Sequence, residues 1–305
     1  MTSAMGTFAA IINPAAGGGR CGQRAAGALD GLRARGLEID AYFTKHPGDA
    51  TRIVQELSAA GRRHFIAVGG DGTSYEILNG LGARLGASDP NERAALGFLP
   101  LGTGNSFLRD FGSGHAEAAI DALVQRRTRA CDVMRLEHDS GELHYMNLLS
   151  LGFVAEICTL TNRHFKSLGA GGYGLGVLVA LAKLGSRIVR MRVDGETPWE
   201  QAMVFVSVCN SRFTGGSMMM APFADTADGL LDVIVCGAMD RITLLRTFPK
   251  IFSGEHVHHH AIRASRARSL EFFEPSPIDL MIDGEVVRHA PKRISVRPGA
   301  LDVFV

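Results

Sequence analysis

The stretch 64-HFIAVGGDGTSYEILNGL-81 holds a strand, a glycine turn and a helix in direct succession. His64–Val68 is a short apolar run, as expected of a strand covered on both faces. It opens into Gly69-Gly70-Asp71-Gly72-Thr73, after which Tyr75–Leu81 reads as helix. The same order recurs on either side. Residues 7–12 read as a buried strand ending at Asn13-Pro14, then 13-NPAAGGGR-20, then a helix to about Gly36. Glu38–Thr44 is a second strand, and Asp49 is expected to cap a helix with Ile53, Val54 and Leu57 on one face. Residues 82–94 read as a surface loop, Leu96–Leu99 as a fourth strand running into 102-GTGNS-106, and His115–Arg127 as a helix. Such alternation predicts an α/β domain with a parallel sheet.

Beyond about residue 130 the pattern changes. Met203–Val208, Leu230–Val235 and Ser269–Phe273 read as strands with fewer helices between them. Gly185–Glu196 and Ile278–Val287 each carry an Asp-Gly hairpin signal. The expected fold class is therefore an α/β N-terminal domain plus a mainly antiparallel β-sandwich domain. A helical insert is expected near 155–184. The expected boundaries are 1–132 and 133–290, with 291–305 a candidate to pack back on the first domain.

Composition narrows the function. The chain has 305 residues, 46% apolar and 21% charged, which is a globular composition of two-domain length. A net charge of +1 argues against a dedicated nucleic-acid binder. The five cysteines are scattered, with no CxxC, which fits a reducing cytoplasm. No targeting segment or membrane span is expected. The 37 glycines are an excess that needs a location.

Three clusters supply it: 13–20, 69–76 and 102–106 all follow strands of one parallel sheet. Ligands bind outside the carboxyl ends of such strands. Glycine lets backbone amides approach a phosphate, and a following helix N-terminus favours its charge. The three turns are expected to form one phosphate-binding rim, against the plainer reading of tight strand-to-helix turns. No GxxxxGK[ST] occurs. Gly17, Gly19 and Gly22 satisfy GxGxxG, but the second strand ends Tyr42-Phe43-Thr44-Lys45 without the acidic residue of a dinucleotide site.

NPxxG, GGDGTxxE, PxGTGN and a late DGE, in this order, resemble the diacylglycerol kinase catalytic family, in its soluble bacterial lipid kinase branch, related to sphingosine and ceramide kinases. The resemblance spans nearly the whole chain. It implies an ATP-binding α/β domain, a β-sandwich lipid-substrate domain, and phosphorylation of a lipid hydroxyl with ATP and Mg²⁺. It implies an ATP site lined by Asn13, Pro14, Ala15, Ala16, Gly17, Thr44, Gly69, Gly70, Asp71, Gly72, Thr73, Ser74, Tyr75, Glu76, Gly102, Thr103, Gly104 and Asn105. Asp71 is a candidate Mg²⁺ ligand, with a self-bonded turn aspartate as the alternative. Thr73 and Glu76 are expected to hold the turn as a helix cap and an N-terminal carboxylate.

Two positions depart from the family: Tyr75 stands where it usually has Asn, and Ser106 where it has Asp. By the resemblance that Asp belongs with Asp71 and Asp132 to a network around the active-site metal. Its loss leaves three readings: water fills in, the metal site weakens, or Asp110 compensates. The resemblance further implies a second, structural Mg²⁺ on Asp225, Asp228 and the Leu230 carbonyl, against an acidic turn. Of the two DGE runs, that at Asp283-Gly284-Glu285 fits the late catalytic motif. Asp283 or Glu285 is the candidate base for the lipid hydroxyl, with Asp283→Asn expected to spare stability. Asp194 is read as a turn residue.

Less specific features complete the reading. His256, His258, His259 and His260 are read as a solvated strand face rather than a metal site. Arg187, Arg190, Arg192, Arg263, Arg266 and Arg268 are candidates for a basic surface that meets anionic lipid. Phe165–Leu184 is a candidate lid or pocket wall, or a core helix. The expected setting is cytoplasmic with peripheral membrane association, and a homodimer is left open. The rivals are an NAD kinase-like enzyme and a non-catalytic nucleotide-binding regulator.

Overall fold

A computed structural model of the protein describes residues 6–87, 89, 92–102, 105–112, 116–160, 181 and 184–305. Thr103, Gly104, His115 and most of the expected lid, 165–180 with 182–183, lie outside the described residues. The chain forms two compact units, one of residues 1–133 with 298–305 and one of 134–297.

The first unit is the α/β domain. Its strands and helices alternate: β1 (Phe8–Ile12), α1 (Arg20–Ala34), β2 (Ile39–Phe43), α2 (Asp49–Ala59), β3 (His64–Gly69), α3 (Asp71–Leu81), β4 (Ala95–Pro100) and α4 (Ala116–Gln125). β1 pairs in parallel with β2 on one side and β3 on the other, and β3 pairs in parallel with β4. Chain order thus reverses direction at β1, a switch point in the sense of an open α/β sheet. All five β1 residues are buried, as a central strand under helices requires. Phe8, Ile12, Ile66, Val68 and Leu99 pack with Leu29 and Leu32 of α1 and Leu123 of α4. Each such side chain contributes about 1.5–3 kcal/mol by leaving water.

The second unit is the antiparallel β-sandwich. β5 (Thr128–His138) leads into it, followed by β6 (Gly141–Tyr145), β7 (Leu148–Gly152), α5 (Phe153–Leu160), β8 (Arg187–Val193) and β9 (Trp199–Cys209). Then come β10 (Phe213–Thr214), β11 (Met218–Met219), β12 (Leu231–Gly237), α6 (Arg241–Thr247), β13 (Ile262–Ala267), β14 (Ser269–Phe272), β15 (Ile278–Ile282), β16 (Glu285–His289) and β17 (Pro291–Phe304). The first part of β9 pairs with β8, and its last part lies between β7 and β12. Its core gathers Phe153, Val204, Ile234, Cys236 and Met281. The sheet joined by the last strand, open from sequence, is now defined: β17 pairs antiparallel with β14 through Arg293–Ser295 and parallel with β4 at Asp302 and Val303.

Three local expectations are corrected. Asp49 is the first residue of α2 rather than its cap, which is Gly48 in the left-handed region; its carboxylate accepts from Lys45 N–H at 2.8 Å. α3 begins at Asp71, earlier than the expected Tyr75, because the glycine turn closes directly into helix. The histidine run is not a strand. Glu255–His258 is a short 3-10 turn, in which buried His256 places Nε2 3.1 Å from Met220 O. Burial lowers its pKa.

Helices α2 and α3 meet at Gly80. A Cβ there would lie 2.6 Å from Thr51 O and 2.7 Å from Val54 Cβ, both on α2. Gly80→Ala is expected to cost about 1–3 kcal/mol by overpacking, read as a lower thermal midpoint.

Candidate active site

The three glycine turns touch one another. Gly17, Gly18 and Gly19 have φ of 63°, 69° and 88°, so this loop turns through the left-handed region that glycine enters without strain. A Cβ on Gly17 would meet Leu101 O at 2.9 Å, and one on Gly102 would meet Gly70 Cα at 2.6 Å. Gly102 N–H donates to Gly69 O at 2.8 Å. The loops after β1, β3 and β4 therefore stack backbone on backbone at the carboxyl ends of adjacent strands. Asn13 starts the first with a turn of its own: its Oδ1 accepts from Ala15 N–H at 3.1 Å. Thr44 lies just past β2 and is tied by its N–H to Ile12 O at 2.9 Å. The rim thus brings Asn13–Gly17, Gly69–Thr73 and Leu101-Gly102 to one edge, with Asn105 next to Ser106 beyond it.

Asp71 opens α3, whose cap, Gly70, offers no side chain to the first-turn amides. Its carboxylate is held by Ser106: the N–H donates to Oδ1 at 3.1 Å and the hydroxyl donates to Oδ2 at 3.0 Å. Ser106 is buried. The position that removes a carboxylate thus supplies two donors to the remaining one. A part-exposed carboxylate, fixed at a helix N-terminus beside close-packed glycines, suits Mg²⁺, which commonly takes one or two carboxylates plus phosphate oxygens and water.

Other expected rim residues have structural work. Glu76 does not cap its own helix. Its two oxygens accept from Gly48 and Ala50 N–H at 3.0 and 3.1 Å, capping α2 from α3. Thr73 is not a side-chain cap either: its Oγ1 is buried without a hydrogen-bond partner among the described residues. Ser74 and Tyr75 are buried. Asp132 is buried and accepts from Gly299 N–H at 2.7 Å, joining β5 to the end of β17.

In the second unit the two DGE runs have the same backbone. Asp194 and Asp283 have φ of 44° and 48°, each followed by a positive-φ glycine, as a tight primed hairpin turn needs. Each carboxylate pins a neighbouring segment. Asp194 Oδ1 accepts from Arg268 and Ser269 N–H at 2.9 and 2.8 Å. Buried Asp283 accepts from Met146, Asn147 and Leu148 N–H, each at 3.0 Å. The expectation that Asp283→Asn spares stability is therefore corrected, because the carboxylate holds three buried amides. Glu285, the first residue of β16, is exposed.

The acidic turn before β12 is self-bonded. Asp225 Oδ1 accepts from Ala227 N–H at 3.1 Å and Asp228 Oδ1 from Leu230 N–H at 3.0 Å. Arg266 adds positive charge, 3.8 Å from Asp228 and 3.4 Å from Asp232. Burial nevertheless raises Asp232 to about 6. These contacts are those of an acidic turn, and they engage Oδ1 of each aspartate.

Four of the six arginines expected at a basic surface contact acidic or aromatic side chains of the second unit. Arg187 pairs with Glu274 at 2.7 Å, Arg192 with Glu271, Arg190 stacks over Phe273 and Arg263 over Trp199.

Comparison with known proteins decides the family. Residues 7–136 match the diacylglycerol kinase catalytic domain, and residues 147–305 match the YegS C-terminal NAD kinase beta sandwich-like domain. A diacylglycerol kinase of Mycobacterium tuberculosis is 30% identical over 98% of this chain and 95% of that protein. A Pseudomonas aeruginosa protein named "Probable lipid kinase YegS-like" is 32% identical over 91% of this chain and 88% of its own. A solved Bacillus anthracis structure matches with a TM-score of 0.76 at 26% identity, covering 98% of this chain and 96% of that one. The chain belongs to the diacylglycerol kinase family. It is a kinase.

Within that family the Ser106 departure has a defined consequence here: Asp71 is oriented by a hydroxyl and an amide. Ser106→Ala keeps the amide and loses the hydroxyl. The variant is expected to fold, with kcat lowered about tenfold, the equivalent of about 1.4 kcal/mol, in a phosphoryl-transfer assay.

Proposed function

We propose that the protein is an ATP- and Mg²⁺-dependent lipid kinase that transfers the γ-phosphate to a lipid hydroxyl at a membrane surface. The observation that carries this reading is the stacked glycine rim at the switch point, with Asp71 fixed at its edge by Ser106. Gly17 and Gly102 let the loops close backbone on backbone, and Gly18 and Gly19, where a Cβ would meet no atom within 4 Å, leave open space at that edge for a phosphate. Gly70–Gly72 present the first amides of α3 to the phosphate charge. Asp71 would hold Mg²⁺, which when bound with ATP neutralises charge developing on the transferred group. Asn13, Thr44 and the remaining rim residues would line the nucleotide. The first unit is the proposed nucleotide domain and the second the lipid domain.

Glu285 is assigned as the proton acceptor for the lipid hydroxyl. Asp283, its oxygens engaged by three amides, shapes the turn that carries it. The test is transfer of labelled phosphate from ATP to diacylglycerol, monoacylglycerol, sphingosine or ceramide in mixed micelles, with NAD as control acceptor. The expected result is a labelled lipid that disappears on chelation; labelled NADP without labelled lipid would overturn the reading. Glu285→Gln is expected to abolish transfer at unchanged melting temperature, whereas Asp283→Asn lowers both. An active Glu285→Gln enzyme beside an inactive, fully stable Asp283→Asn enzyme would reverse the assignment.

Access to a bilayer is assigned to α6 and the turn after it. No described helix is long and apolar enough to cross a membrane. Ile242, Leu245 and Phe252 are 63%, 46% and 52% exposed, and exposed Arg241, Arg246 and Lys250 lie among them. Apolar side chains interleaved with cations match the interface of an anionic bilayer. Replacing Ile242 and Leu245 together by Asp is expected to weaken sedimentation with phosphatidylglycerol vesicles at least about tenfold, since each apolar side chain is worth about 1.5–3 kcal/mol. Activity on a short-chain, monomeric diacylglycerol should persist.

A further inference from the structure

His138 ends β5, Asp139 and Ser140 form the hairpin tip before β6, and His289 ends β16. Two bonds dock this tip on the chain after β16: Asp139 N–H donates to Ala290 O at 3.1 Å, and Ala290 N–H donates to Asp139 Oδ1 at 3.2 Å. The docking brings the two imidazoles together, with ring centroids 3.9 Å apart. Each Nδ1 lies 3.4 Å from the same Asp139 Oδ1. Each also lies 3.2 Å from Ser140 Oγ. Ser140 N–H donates to His138 Nδ1 at 3.3 Å, so that nitrogen is the unprotonated one, and a cation bound there would take its lone pair from this hydrogen bond. The nitrogen, nitrogen and carboxylate ligand atoms all fall within 4.8 Å of one another.

We propose that His138, Asp139 and His289 bind a divalent transition-metal cation of the Zn²⁺ type. The spacing carries the argument. A tetrahedral cation bonded at about 2.0–2.1 Å holds its ligand atoms about 3.3–3.4 Å apart, and both nitrogen-to-oxygen separations have that value. Two imidazoles with one carboxylate select a borderline cation over Mg²⁺, which prefers an all-oxygen shell. His138 is buried, Asp139 is exposed and His289 is partly open, which gives a route for entry. Ser140 Oγ or a water completes the fourth position. Bound metal would tie the β5–β6 tip to the end of β16, the strand that begins at Glu285. The hairpin that carries the late DGE run would thereby be clamped at the end away from its turn.

The experiment uses the full chain, stripped with chelator, and titrates it with Co²⁺ by absorption spectroscopy and with Zn²⁺ by equilibrium dialysis, in millimolar Mg²⁺. One Zn²⁺ per chain is expected, with a ligand-field Co²⁺ spectrum and a higher melting temperature on loading. His289→Ala and Asp139→Asn should each weaken binding by about 30-fold or more. Both changes fall on side chains that are exposed or partly open, and circular dichroism checks the fold. His258→Ala/His260→Ala should bind as wild type. Absence of stoichiometric binding in wild type would overturn the proposal. So would binding that survives both His289→Ala and Asp139→Asn, or that is lost with His258 and His260.

Discussion

The close approach of three backbone turns is the constraint on which the candidate site depends. Gly102 lies against Gly70, Gly17 lies against Leu101, and an amide-to-carbonyl bond joins Gly102 to Gly69. Any side chain at these glycines would push the loops apart, because the atoms it would meet are backbone. The parallel sheet creates this closeness. β1, β3 and β4 are adjacent and point the same way, so the loops leaving them emerge at one edge. The buried β1 sets the positions of β2 and β3 together.

The aspartates divide by what already occupies their oxygens. Asp225 and Asp228 accept amides two residues on in their own turn, the commonest employment of Asp in a loop, while Asp194 and Asp283 accept backbone amides of segments distant in sequence. Asp71 is held instead by the side chain and amide of a residue on a different loop. A carboxylate oriented from elsewhere in the fold keeps its place without closing its own turn. Glu76 follows a third pattern: it accepts from the cap amide and a first-turn amide of a neighbouring helix, and so couples α2 to α3 just behind the rim.

Much of the fold was legible because strand and helix periodicities are local. The runs Phe8–Ile12, His64–Gly69 and Ala95–Pro100 are apolar along their length, and glycine clusters end them. The Asp-Gly hairpins were equally readable, since both central residues need positive φ. The helix start at Asp71 was set late because Gly72 reads as turn rather than helix. The histidine run was misread for a related reason: its alternation matched a strand, but Gly254 at φ 76° turns the chain into a 3-10 turn and buries His256.

What sequence determined by itself was the order of elements, the glycine turns and the family motifs, because each depends on residues within a few positions of one another. What only tertiary structure decided was the partner of every polar group. That Ser106 serves Asp71, that Glu76 serves α2, that Asp283 holds the amides of Met146–Leu148, and that His289 meets His138 are pairings between distant residues. Such pairings follow from strand register and loop docking, which bring together residues whose separation in sequence carries no signal.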